Sequence, residues 1–146
     1  MIVAAIEPLP RKENTITINF SKQDVYELPL TRIDVRWTDN ERNAARHAWR
    51  QAANMLSLAG GSVTTVSRDL APPGSAIHEM GGACMGHDPR ASVTNRHNQL
   101  HDAANVFVTD GAFMSSTGDR NPSLTYMAFT ARAAAYAAEA LRDGRI

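Results

Sequence analysis

The chain is poor in cysteine, has no surplus of either charge sign and carries no long apolar run. Its 146 residues include one cysteine, Cys84, so an intramolecular disulfide framework and any multi-cysteine zinc or iron–sulfur site are excluded. Lys and Arg total 15 against 15 Asp and Glu. Nucleic-acid and membrane-surface binders normally carry a basic excess, so neither class of partner is expected. No stretch approaches the ~20 apolar residues that span a bilayer. Residues 1–6 have no basic flank and are broken off by Glu7 and Pro8. They are not expected to be a signal peptide, and they read as the middle of a sheet. A soluble globular module remains, in the cytoplasm or the periplasm.

What is present divides the chain in two. In the first part, residues 2–6 are a short apolar run and residues 15–20 (Thr-Ile-Thr-Ile-Asn-Phe) alternate with the strand period of two. Residues 31–37 put Thr31, Ile33, Val35 and Trp37 on one face and Arg32, Asp34 and Arg36 on the other, the pattern of a half-buried antiparallel strand. Thr38 and Glu41 have capping-box spacing, so a helix is expected to about Leu58. Its inner stripe is Ala45, Ala48, Trp49, Ala52, Met55 and Leu56, with Arg42, Arg46 and Arg50 outside, and Gly60-Gly61 stops it. Residues 62–68 are a further expected strand and 71–75 (Ala-Pro-Pro-Gly-Ser) a linker. These residues, 1–73, are expected to form part of a sheet domain with a helix packed on it.

Residues 74–146 differ. Four of the five histidines (His78, His87, His97 and His101) and most of the glycines fall between 74 and 121. One strand is expected there, 105–109 (Asn-Val-Phe-Val-Thr), ending in Asp110-Gly111. Asn121 suits an N-cap and Pro122 the first helical position, so a closing helix is expected to about Arg142. Eight alanines between 128 and 140 smooth its surface. The expected class is therefore α+β: an antiparallel sheet with a packed helix, a loop-rich segment, one strand and a long C-terminal helix.

Several familiar chemistries find little footing. His78-Glu79 lacks a second histidine four residues on, so it is no helical zinc motif. His97 and His101 have ligand-like spacing, which keeps a zinc site as an alternative, although Asn98 and Asp102 beside them read as a polar surface turn. His87, His97 and His101 are otherwise expected at the surface, and Arg120 as a solvated charge. No Gly-x-Ser-x-Gly elbow frames a serine, and Cys84, between Ala83 and Met85, reads as a structural thiol.

One ordered constellation is stronger. His78-Glu-Met-Gly-Gly precedes Cys84-Met-Gly86, then Val108-Thr-Asp-Gly-Ala112, then Asn121-Pro-Ser-Leu-Thr-Tyr-Met-Ala128. This order resembles the C-terminal part of the glucose–methanol–choline (GMC) flavin oxidoreductases, most of all the bacterial FAD-dependent sugar dehydrogenases. The likeness covers residues 74–140 well and the preceding strands and helix more loosely. It implies FAD as cofactor and an alcohol or sugar substrate whose CH–OH group loses a hydride to flavin N5. It implies His78 as the base that takes the hydroxyl proton, a task suited to imidazole, and Asn121 as the group holding the substrate oxygen. Asp110, Gly111 and Ala112 match the family's flavin-contacting turn. Pro122, Ser123 and Leu124 open the closing helix, whose free N–H groups suit the anionic reduced ring.

Family members are several times longer and hold FAD mainly through a nucleotide-binding βαβ with a Gly-x-Gly-x-x-Gly turn. No such turn follows a strand here. The resemblance therefore implies an incomplete fold: a C-terminal fragment, a truncated product or one half of a split enzyme. Its partner would be a missing N-terminal FAD-binding portion or a separate chain, with an electron-transfer subunit as a further candidate. The face of the closing helix with Leu124, Ala128, Ala131 and Ala135, or the edge of the strand at 105–109, would then be less buried than in a complete protein. A non-catalytic remnant or interaction module is the alternative of another class.

Overall fold

The computed structural model describes residues 1–65, 69–75, 77–118 and 120–146. The chain divides into two compact units, Met1–Ala76 and Ile77–Ile146. The fold is α+β, with one two-stranded antiparallel sheet and two long helices among the described residues.

In the first unit, β1 (Thr15–Gln23) pairs with β2 (Pro29–Asp34) in the register Ile16 with Ile33 and Ile18 with Thr31. The connecting turn is built by Asp24, whose carboxylate accepts from the amides of Tyr26 (2.8 Å) and Leu28 (3.0 Å). Its side chain thereby replaces a backbone acceptor, the usual use of Asp in turns. The register is irregular between Asn19 and Gln23, where Asn19 Oδ1 accepts from the Ser21 amide.

The structure departs from the sequence expectations in several places here. Residues 2–6 form no strand, and β2 ends at Asp34 rather than at Trp37. The strand expected at 62–68 is absent over 62–65, while 66–68 lie outside the described residues. Of the face expected to be half-buried, Val35 and Trp37 are so while Thr31 and Ile33 are exposed, and across the hairpin Ile16, Ile18 and Ile33 are 69%, 59% and 57% exposed. Period-two alternation specifies that a strand has an apolar face. It does not supply the layer that covers it.

Helix α1 (Asp39–Leu58) starts where the Thr38–Glu41 spacing places it. Glu41 Oε2 accepts from the Thr38 amide (2.7 Å) and hydroxyl (2.6 Å), and Oε1 accepts from Asn40 Nδ2 (3.1 Å) and from the amide of Leu9 (3.3 Å). The carboxylate is only 1% exposed, so it ties the residues before the hairpin to the helix start. Ala45 is buried and Ala48, Trp49, Ala52 and Leu56 are half-buried, whereas Met55 is exposed. The helix ends at Gly60, whose φ of +78° few other residues adopt readily.

In the second unit, residues 83–108 are held by isolated bridges (Met85 with Thr94, Thr94 with Leu100, Gln99 with Phe107) and by buried polar side chains. Thr94 Oγ1 donates to the Ala83 carbonyl, Asn98 Nδ2 to Val108 and Gln99 Nε2 to Ala104. The run 105–109 enters no continuous strand among the described residues: its pairing is one bridge at Phe107, flanked by the backbone bonds of Leu100 N to Val106 O and Val108 N to Asn98 O. Asn98, at φ +61°, turns the neighbouring chain, and side-chain amides take over part of the pairing that a partner strand would provide.

Helix α2 (Ser123–Arg142) buries Ala133 and Ala140 and half-buries Tyr126, Phe129, Tyr136 and Ala137, a stripe at helical spacing. Phe129 stacks on Phe113 with ring centres 4.8 Å apart, and Tyr136 stacks on His97 at 4.0 Å. The opposite face, with Leu124, Met127, Ala128, Ala131 and Ala135, is exposed.

His97 and His101 are thus half-buried rather than surface residues. His97 Nε2 accepts from Arg96 Nε at 3.0 Å, which leaves the proton on Nδ1, a buried atom with no hydrogen-bond partner. Burial, followed by the positive charges of Arg96, Arg132 and Arg145, pushes this imidazole below its usual range, and Glu139 only partly opposes them. A histidine depressed in the fold contributes stability above the unfolded value near 6.5, and this is lost as pH falls towards the folded value. Thermal melts at pH 7.5 and 5.5 should show a lower midpoint in acid, with a smaller acid loss in His97→Phe, which keeps the stack on Tyr136.

Candidate active site

Three segments of the second unit converge: the loop 77–82, the turn at 110–113 and the start of α2. The loop is anchored just after Gly81-Gly82, where the Ala83 amide donates to Ala112 O (2.8 Å) and Met85 to Phe113 O (2.9 Å). The turn Gly111–Phe113 is capped by Asp110, whose carboxylate accepts from the Ala112 amide at 2.9 Å. The Thr130 hydroxyl of α2 donates to Thr109 O (3.0 Å), fixing the helix beside the same turn.

This framework brings His78 and Asn121, 43 residues apart in sequence, into contact: His78 Nε2 lies 3.1 Å from Asn121 Oδ1. His78 is half-buried and Asn121 exposed, so the pair meets at an accessible edge. An amide oxygen only accepts, so in this arrangement Nε2 carries the proton. If the carboxamide is turned over, its NH₂ donates to an unprotonated Nε2 instead. Pro122, not Asn121, occupies the position before the first helical residue, and no side chain caps the helix. The expected N-cap role of Asn121 is therefore not what its side chain does.

The remaining sequence candidates are spread around this edge. Ser123 and Leu124 are exposed in the first turn of α2, where backbone N–H groups have no partner within the helix. Together they confer about half a positive charge on that end. Asp110 is exposed and Ala112 half-buried with its amide engaged. Gly111 and Pro122 are buried, so they shape the surface from beneath.

Sequence reading missed Met80 and Tyr126. The Tyr126 hydroxyl lies 3.7 Å from Met80 Sδ. No motif spacing links residues on a loop and a helix so far apart, and only the fold reveals the contact.

The competing chemistries are weaker. Among the described residues no three metal-ligating side chains cluster, and His101 Nε2 is engaged with Ser92 Oγ at 3.0 Å. The zinc alternative therefore lacks a ligand set. In that Ser92–His101 contact the serine hydroxyl donates to Asp88 O (2.7 Å), so its proton is directed away from the imidazole. Cys84 Sγ donates to the Gly81 carbonyl at 3.2 Å and is half-buried.

Residues 10–130 match the family model for GMC oxidoreductase, and the chain belongs to that family of flavoproteins. It is 32% identical over 142 residues to the 2-methyl-1,2-propanediol dehydrogenase of Mycolicibacterium austroafricanum, covering 94% of this chain and 25% of that protein. It is 29% identical over 143 residues to the fructose dehydrogenase large subunit of Gluconobacter japonicus (98% and 26%). Pyranose 2-oxidase of Lyophyllum shimeji is 24% identical over 135 residues (92% and 22%). The chain spans about a quarter of the length of the curated relatives it matches. No described helix is long and apolar enough to cross a membrane.

Proposed function

We propose that this chain forms the substrate-facing C-terminal portion of an FAD-dependent oxidoreductase that oxidises a CH–OH group, of a sugar or a related alcohol. The observation that carries this reading is the 3.1 Å approach of His78 Nε2 to Asn121 Oδ1 at an accessible edge. One side chain can take a proton there, and the other can donate or accept without adding charge.

The donor set fits the ring end of a flavin. A neutral polar pair and the unsatisfied amides of Ser123 and Leu124 suit a ring that becomes anionic on reduction. Asp110, Gly111, Ala112 and Pro122 form the backbone surface next to them. Bound there, the flavin supplies the hydride acceptor. A pyrophosphate cradle is the business of a Gly-x-Gly-x-x-Gly turn, so we assign it to a further FAD-binding portion, contiguous or separate.

The protein's own part is to handle the hydroxyl. At 3.1 Å the pair leaves no room for an oxygen between its members, so substrate must turn the two side chains apart on their fixed backbones. The hydroxyl then donates to an unprotonated His78 Nε2 while the Asn121 NH₂ donates to the substrate oxygen. As the carbinol C–H leaves as hydride, the O–H proton passes to His78 Nε2 and the substrate becomes a carbonyl compound.

The test is to co-produce this chain with a Gly-x-Gly-x-x-Gly-bearing FAD-binding portion and add sugars or simple alcohols anaerobically. Bleaching of the flavin absorbance supports the enzyme. A colourless product, or a flavin that no such donor bleaches, favours the non-catalytic remnant. In the reducible enzyme, Asn121→Ala should slow flavin reduction on the order of tenfold, the loss of one oriented hydrogen bond to a reacting oxygen. If Asn121→Ala changes only the melting temperature, its role is structural.

A further inference from the structure

The contact between His78 and Asn121 needs an explanation, because His78 lies in no helix or strand and its partner sits on a residue just outside α2. Two residues beyond His78 is Met80, and five beyond Asn121 is Tyr126. Their side chains meet, with the phenol oxygen 3.7 Å from Met80 Sδ. Both rest on Gly111. A Cβ added there would lie 2.7 Å from Met80 Sδ and 2.8 Å from the Tyr126 oxygen, closer than real side chains approach, and 3.0 Å from Glu79 O, a tight contact.

Gly111 is itself immobilised. Its carbonyl accepts from the Met114 amide (3.0 Å), and its turn is tied to the loop through Ala83 and Met85. Tyr126 is likewise held, its amide donating to Pro122 O at 3.0 Å. Burial, with the nearby charges of Asp110 and Glu79, pushes the Tyr126 hydroxyl above its usual range, as expected for a neutral phenol packed against the loop.

We propose that Met80 and Tyr126, packed on the bare Cα of Gly111, form a clamp that sets the separation of His78 and Asn121. Tyr126 and Met80 are positioning residues: they act on the loop and the helix that carry the pair and need touch neither substrate nor flavin. The clamp's importance for catalysis rests on the functional reading above, but its geometric effect does not. The requirement for glycine at 111 is steric. The added methyl would drive the Met80 and Tyr126 side-chain ends apart and press on the loop at Glu79 O, and a displacement of about 1 Å at a reacting group can cost on the order of 100-fold in rate.

The experiment uses the full 146-residue chain, isotopically labelled, with the nuclear Overhauser contact between the His78 ring and the Asn121 side-chain amide as readout. Gly111→Ala should abolish that contact while Ala133 and Ala140 on α2 keep their native shifts. Tyr126→Phe, which retains the ring and removes only the oxygen, should weaken it, and it serves as the decisive variant if Gly111→Ala does not fold. A contact undiminished in folded Gly111→Ala, or in Tyr126→Phe where the first variant is unfolded, overturns the clamp. In the flavin-loaded enzyme Tyr126→Phe should lower the rate of flavin reduction with KM little changed. Should His78→Ala leave flavin reduction unaltered, the catalytic reading fails while the magnetic-resonance result for the clamp still stands.

Discussion

Flavin reduction by substrate in the complete enzyme is expected to slow by about 10²–10⁴-fold when His78 is replaced by Ala, the usual contribution of a positioned general base. That range corresponds to roughly 3–5 kcal/mol of barrier. The effect should fall on the chemical step, because the ring's hydrogen-bond partner among the described residues is Asn121 and its removal leaves the loop anchors at Ala83 and Met85 intact. The bound-flavin spectrum and the melting temperature should hardly move. Stopped-flow reduction under anaerobic conditions checks this. A variant that reduces its flavin at the parent rate would remove His78 as the base. His78→Gln separates the two functions of the side chain: it restores a hydrogen bond to Asn121 without a proton acceptor of comparable basicity, and its rate should remain close to that of His78→Ala.

The second large effect concerns stability and lies in the first unit. Glu41 is buried at the start of α1, and four donors on Thr38, Asn40 and Leu9 converge on its carboxylate. These hydrogen bonds, led by that of the Thr38 hydroxyl, outweigh burial and bring the carboxyl down to about 2. A group depressed in the fold contributes stability above its unfolded value near 4.5 and surrenders it as pH falls towards 2. After allowance for solvent screening at a helix end, this contribution is about 2 kcal/mol at neutral pH. Glu41→Ala also leaves buried donors without a partner, so it should destabilise the first unit by about 2–4 kcal/mol. Urea unfolding at pH 7 should show this loss, and the difference between parent and variant should shrink at pH 3. A difference that is constant across that range would mean that the charge contributes nothing.

Much of the local structure could be read from the chain. The Thr38–Glu41 spacing and the Gly60 stop located α1, because capping and left-handed backbone are properties of a few adjacent residues. The alternation at 15–20 located β1 for the same reason. The run 105–109 misled, since a strand exists only where a neighbour offers backbone partners. Here, among the described residues, the neighbour offers a ladder too short for a strand, Val108 N to Asn98 O and Leu100 N to Val106 O about one bridge at Phe107, and the Asn98 and Gln99 side chains add to it. His97 misled as well: polar neighbours in sequence pointed to a surface turn, while Tyr136, 39 positions away, covers its ring.

The sequence alone determined the class of structure, the ends of α1 and the family resemblance, because caps, periodicities and ordered motifs are short-range patterns. It named His78 and Asn121 as candidates through that resemblance. Tertiary structure alone decided that their side chains meet, that Pro122 rather than Asn121 takes the N-cap position, and that a side chain at Gly111 would press on Met80 and Tyr126. Distances between residues remote in the chain depend on how whole segments pack, and no local pattern encodes them.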